Sequence, residues 1–120
     1  MKVGMSSYAF RWAVGTRDFT PPTPLTAFKL LEKAAALGAE VVQICENVPL
    51  EGLPEDTLND LARHAVELGL VLEVGTRGSR PEHLRHYLGI AERLGAHLLR
   101  VVLTDAGWEP SFDEMVDVFR

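Results

Sequence analysis

Three leucine–glycine pairs constrain this chain more than any other feature. Ala34-Ala35-Ala36-Leu37-Gly38 precedes Ala39-Glu40-Val41-Val42-Gln43-Ile44-Cys45, and Ala65-Val66-Glu67-Leu68-Gly69 precedes Leu70-Val71-Leu72-Glu73-Val74-Gly75. Ala91-Glu92-Arg93-Leu94-Gly95 precedes Ala96-His97-Leu98-Leu99-Arg100-Val101-Val102-Leu103. Each instance follows one grammar: an amphipathic helix, a glycine that can end it in a left-handed residue, then a short run of Val, Leu and Ile. Such runs are too short for helices and too apolar for strands with a wet face, which fits parallel strands covered on both sides. Val3–Ser7 supplies a first strand of the same kind. Strand and helix alternating through short links make right-handed βαβ units, and four in a row fit a barrel or a doubly wound sheet.

The helical faces follow from a 3.6-residue period. Phe28, Leu31, Ala35 and Gly38 fall together in the first helix, Leu58, Leu61, Ala65 and Leu68 in the second, and Leu84, Leu88, Ala91 and Leu94 or Gly95 in the third. Thr23-Pro24 and Ser79-Arg80-Pro81 read as N-cap and first-turn positions, where proline's missing donor costs little. Ser111-Phe112-Asp113-Glu114 has the spacing of a capping box. The stripe Met115, Val116, Phe119 behind it stops at Arg120, which reads as a chain cut within its fourth helix.

A length of 120 residues suits a single domain spanning 1–120, and 47% apolar with 24% charged residues suits a globular one. The net charge of −5 argues against nucleic acid or an anionic membrane as partner. Cys45 is the sole cysteine, so no intrachain disulfide forms. With no apolar run long enough for a signal or a membrane span, a cytoplasmic setting is expected.

Each interior strand carries one polar residue: Gln43, Glu73 and Arg100. If these point away from the helices, alternation puts Val41, Cys45 and Asn47 beside Gln43, Val71, Gly75 and Arg77 beside Glu73, and Leu98, Val102 and Thr104 beside Arg100. Gly4, Ser6 and Tyr8 join them from the first strand. The opposite face, Val42, Ile44, Leu70, Leu72, Val74, Leu99, Val101 and Leu103, is then wholly apolar. In a barrel the polar face is the interior, and its layer at the carboxyl ends of the strands floors the active site.

On that reading Glu73 and Arg100 form an ion pair, either a self-satisfied buried pair or part of a site. Tyr8, Phe10, Arg11 and Trp12 after the first strand either wall a pocket or cap the core. Gly75-Thr76-Arg77-Gly78 either brings backbone close to a phosphate or carboxylate or is simply a tight turn. His64, His83 and His86 fall off the apolar stripes as solvated residues, and His97 lies at the amino end of a strand. No HExxH, CxxC, GxGxxG, GxxxxGK[ST] or nucleophile-elbow motif occurs.

Four segments together, Met5-Ser6-Ser7-Tyr8, the run from Leu37 to Glu46, Glu73 to Gly78 and Leu94 to Val102, resemble the sugar phosphate isomerase/epimerase family, the xylose isomerase-like TIM barrels. The resemblance covers the whole chain and implies a (β/α)8 barrel of roughly 250–300 residues, of which this chain would be the N-terminal half with its four-stranded parallel sheet. It implies a sugar or sugar phosphate substrate and a divalent metal (Mn, Mg, Co or Zn) that assists proton transfer. The ligands of that metal would come from strands five to eight, outside this chain, so no catalytic residue or metal ligand carries over. What carries over is a substrate wall of Tyr8, Trp12, Glu46, Asn47, Glu73, Arg77, Arg100 and Thr104, in a chain inactive alone. The alternative is a non-catalytic binding module or scaffold, with two copies closing the half-barrel as a homodimer.

Overall fold

The repeated glycines do end helices: Gly38, Gly69 and Gly95 take φ of 80°, 70° and 67°, a region where a side chain would be strained. The computed structural model describes residues 1–120. Strand β1 (Gly4–Ser6) leads through a 3-10 turn (Ser7–Phe10) and a short α1 (Arg11–Val14) to α2 (Ala27–Ala36). Then follow β2 (Val41–Ile44), α3 (Glu55–Glu67), β3 (Val71–Arg77), α4 (Pro81–Arg93), β4 (Leu99–Val102) and α5 (Phe112–Val118). The four strands are parallel in the order β1-β2-β3-β4. Strictly sequential order is that of a barrel wall, whereas a doubly wound sheet reverses at a switch point. The chain is an α/β half-barrel.

The apolar alternation holds at the centre of the sheet. Val42, Ile44, Leu72 and Val74 face the helices at 0, 0, 4 and 0% exposure, against Leu30, Leu31, Leu58, Leu61, Ala65, Tyr87 and Ile90 in one cluster. One helix face is rotated from expectation, and a second departs from it at Leu88 while Leu84, Ala91 and Leu94 are buried as expected. In α2 the stripe is Ala27, Leu30, Leu31 and Ala34; Phe28 and Ala35 flank it, and Gly38 lies beyond the helix end. In α4 Tyr87 and Ile90 are buried while Leu88 is exposed, because the helix turns its Leu84–Tyr87–Ile90–Ala91 side to β3. Caps moved as well. Thr26, not Thr23, accepts from the Lys29 backbone N–H, and Arg80 fills the N-cap position of α4 without a side-chain cap. Pro81 opens α4, and Ser111 with Glu114 forms a complete capping box on α5.

Cover over the sheet thins toward its last strand. Leu99 and Val101 are only half-buried and Leu103 is 38% exposed. The seven-residue α5 buries none of its side chains, leaving an apolar groove lined by Leu84, Leu88, Leu99, Val101, Val118 and Phe119. No helix is long and apolar enough to cross a membrane.

Candidate functional site

The inner face is built on register. Ser6, Gln43 and Glu73 stand level across β1, β2 and β3, but the step to β4 is staggered, so Gly75 and not Glu73 is level with Arg100. The expected Glu73–Arg100 ion pair therefore does not form. Arg100 crosses β3 over Gly75 and reaches β2, where its Nε donates to Gln43 Oε1 at 3.1 Å and Nη2 to Glu46 Oε2 at 3.1 Å. Gln43 in turn donates through Nε2 to Glu73 Oε2 at 3.0 Å. The missing side chain at Gly75 makes this path possible: a Cβ there would lie 2.9 Å from Arg100 Nη2 and 3.0 Å from Cys45 Sγ. Cys45 Sγ sits 3.4 Å from both Ser6 Oγ and Gln43 Oε1. That sulfur is the largest influence keeping the Arg100 guanidinium charged, against its partial burial, with Glu46 and Tyr8 adding to it.

Glu46 is the hub of the carboxyl end. Its Oε1 accepts from the Tyr8 hydroxyl at 3.0 Å, and its Oε2 accepts from Arg100. Arg77 Nε stands 3.7 Å from Oε1, beyond hydrogen-bonding distance. Strand alternation would have sent Glu46 to the helix side. β2 ends at Ile44, however, and the turn that follows swings Glu46 inward and Asn47 outward. Asn47 accordingly leaves the inner face: it accepts from Ser7 Oγ at 2.5 Å and donates Nδ2 to the Ser7 carbonyl at 3.2 Å. With Ser7 Oγ also accepting from the Cys45 backbone N–H, this buried latch fixes the loop after β1 to the loop after β2. Burial first, and then the hydrogen bond to Glu46, push the Tyr8 phenol above its usual 10.0; Arg77 pulls weakly the other way.

Of the eight expected wall residues, five converge: Tyr8, Glu46, Glu73, Arg77 and Arg100. Trp12 stands apart, 66% exposed, edge-on to Phe19 at 6.2 Å and beneath the Arg11 guanidinium. Thr104 lies exposed past the end of β4 with no side-chain hydrogen bond. Gln43 and Cys45 belong to the network although neither was expected to touch a ligand, and the mid-strand glycine at 75 was their signal.

The Gly75–Gly78 segment does not offer its backbone to an anion. Arg100 lies on Gly75, and a Cβ on Gly78 (φ 103°) would meet Asp105 Oδ2 at 2.5 Å. Thr76 is 1% exposed and its Oγ1 lies 2.7 Å from His83 Nε2, so His83 is a half-buried partner and not a free surface residue. His64 is also half-buried, between α2 and α3, 5.8 Å from the Phe28 ring. Below the fourth strand's loop, Trp108 Nε1 donates to Ser79 Oγ and Ser79 Oγ to the Leu103 carbonyl. The serine expected near a cap is instead a tie between loops. No group of three or more His, Cys, Asp or Glu side chains is placed to hold a metal ion, so the donor set of these four units does not fit a divalent cation.

No family model matches the sequence. The curated 3-oxo-isoapionate decarboxylase of Pectobacterium atrosepticum is 38% identical over all 120 residues, which cover 42% of that protein. Two solved structures share the fold. A D-psicose 3-epimerase with D-tagatose from Clostridium cellulolyticum H10 superposes with a TM-score of 0.70 at 18% identity, over 98% of this chain and 44% of that one. A D-psicose 3-epimerase in the presence of D-fructose gives 0.75 at 14% identity, over 99% and 46%. The chain thus spans less than half the length of the relatives it matches. It is similar in sequence to that decarboxylase and has the fold of the N-terminal half of a xylose isomerase-like TIM barrel.

Proposed function

We propose that residues 1–120 act as one unit that supplies the substrate-facing wall of a sugar-modifying barrel enzyme. A sugar or sugar acid is held at the carboxyl ends of β1 to β4. The observation that carries this reading is the convergence of Tyr8, Glu46, Arg77 and Arg100 on that one edge, where barrels of this architecture place their sites. The relatives point the same way: the epimerase structures were solved with ketohexoses, and a decarboxylase acts on a carboxylic acid. The divalent metal and the proton transfer at carbon that the family resemblance implies belong, on this reading, to residues outside these four units. What this chain contributes is binding and orientation. Glu46, with both oxygens engaged, is a fixed acceptor, and Tyr8 keeps its oxygen lone pairs free for a sugar hydroxyl. Titrating the isotopically labelled chain with D-fructose and D-tagatose, followed by NMR, tests the reading. Shifts confined to Tyr8, Glu46, Arg77 and Arg100 support it; shifts confined to the opposite edge, at Lys2 and His97, or none at millimolar sugar, refute it.

One observation favours a second reading, in which two copies close the inner face. Both β1 and β4 are unpaired on one side, and an uncovered edge invites another strand. Sedimentation of the chain at micromolar concentration decides: a strict monomer removes this reading and leaves the first intact.

A further inference from the structure

Arg77 is the charged group of the inner face that the chain engages least: its side chain has one loose ion pair, with Glu46, and no hydrogen bond. Glu46 has both oxygens occupied, by Tyr8 and by Arg100. Glu73 is held by Gln43, and Arg100 spends its Nε and Nη2 on Gln43 and Glu46. The Arg77 side chain, at the end of β3 and 51% exposed, makes no hydrogen bond; its ion-pair partner is Glu46 Oε1, 3.7 Å from Nε. The charge count agrees. Glu46 is balanced by Arg100, and Glu73 lies four residues down the same strand from Arg77, about 13 Å away at the usual rise. The rim therefore presents a half-exposed guanidinium whose one carboxylate partner, Glu46, already accepts from Tyr8 and Arg100.

We infer that Arg77 is the anchor for a carboxylate on the substrate, so that the wall selects sugar acids over neutral sugars. This rests on the sugar-wall reading above and refines it. The planar fork of a guanidinium pairs with the two oxygens of a carboxylate, which a neutral sugar cannot offer. The segment Gly75–Gly78 thus handles an anion through its arginine side chain, because Arg100 and Asp105 occupy the space over its glycines. Tyr8, hydrogen-bonded to the same Glu46 oxygen that Arg77 approaches, would accept a sugar hydroxyl beside the anchored carboxylate.

The test is calorimetric titration of the 120-residue chain and its R77M and R77K variants with D-gluconate, D-fructose and D-fructose 6-phosphate. Arg77 is half-exposed at a strand end, so the variants keep the fold; their thermal midpoints check this. The inference expects gluconate to bind at least about tenfold more tightly than fructose, and R77M to weaken gluconate binding at least about tenfold more than it weakens fructose binding. R77K would recover only part of it, since a lysine keeps the charge but not the fork. Added salt would weaken gluconate binding and leave fructose alone. Equal affinity for gluconate and fructose overturns the inference and leaves the sugar-wall reading standing. A preference for the 6-phosphate that R77M abolishes overturns the carboxylate and assigns Arg77 to a phosphate. Failure of all three ligands removes both readings.

Discussion

The two faces of this one sheet are held by different physics. Toward the helices, β2 and β3 present Val42, Ile44, Leu72 and Val74, all at 4% exposure or less, and their contribution is apolar area removed from water. Toward the interior, the same strands present Gln43 and Glu73, half-buried, Gly75, buried, and Arg77, exposed. Order there comes from a relay of hydrogen bonds, Glu73 to Gln43 to Arg100 to Glu46 to Tyr8. The first face is redundant, because each residue touches many others. The second is serial, because each group holds the next. A close-packed face should lose stability with every truncation, whereas a serial one should lose geometry at small cost to the fold.

The largest effect expected from that contrast is at α3. Leu61 is fully buried in the cluster, so L61A should cost about 2–5 kcal/mol through lost transfer energy and the cavity left behind. V71A, a truncation on the half-buried inner side of β3, should cost about 1 kcal/mol or less. Urea unfolding of the two variants measures both; equal losses would mean that the inner face is as tightly packed as the outer.

Gly75 probes the serial face itself. In G75A the new methyl meets Arg100 Nη2 at 2.9 Å and Cys45 Sγ at 3.0 Å. The guanidinium tip can swing away into solvent, but the cysteine, 2% exposed, cannot. Overpacking of this kind costs about 1–3 kcal/mol. The diagnostic result is local: the Arg100 Nε–H resonance should lose the signature of its bond to Gln43. G38A makes the matching control. Nothing lies near a Cβ at Gly38, yet its φ of 80° strains any side chain, so stability should fall while the Arg100 signal stays unchanged.

How much of this was legible in the sequence follows the same division. The repeat of helix, glycine and apolar run gave the four units, their parallel pairing and the helix-side residues of β2 and β3, because periodicity is a local property that burial must respect. Periodicity alone left the strand order open, since βαβ units build barrels and doubly wound sheets alike; the resemblance to xylose isomerase-like barrels decided it. The inner face was half legible. Alternation correctly placed Gln43, Glu73, Arg77 and Arg100, but it named the wrong partner for Arg100, because the stagger between β3 and β4 depends on neither strand alone. It also failed one residue past the end of β2, where Cys45 gives way to a turn and Glu46 and Asn47 exchange faces. The stripe on α2 was misphased, and that on α4 wrong at Leu88, for a related reason: a helix shows several apolar residues, and the sheet beneath decides which of them it buries.

The smallest effect sits at the last link of the relay. The Tyr8 phenol titrates above 10.0, first through burial and then through its hydrogen bond to Glu46, while Arg77 opposes. A proton bound more tightly in the folded than in the unfolded chain adds stability that is fully present below the unfolded value. That stability is lost as pH rises through the folded one. Replacing Glu46 by glutamine removes the acceptor charge, so E46Q should bring the Tyr8 midpoint down, though not fully to the ordinary value, because burial remains. R77M should move it up, since the opposing cation is gone. Opposite shifts from two neighbours, read from the Tyr8 ring carbons by NMR, would show that the relay ends where the geometry puts it. Shifts of the same sign would mean that the loop bearing Glu46 moves whenever its charge partners are altered, and that the inner face is less ordered than the hydrogen bonds imply.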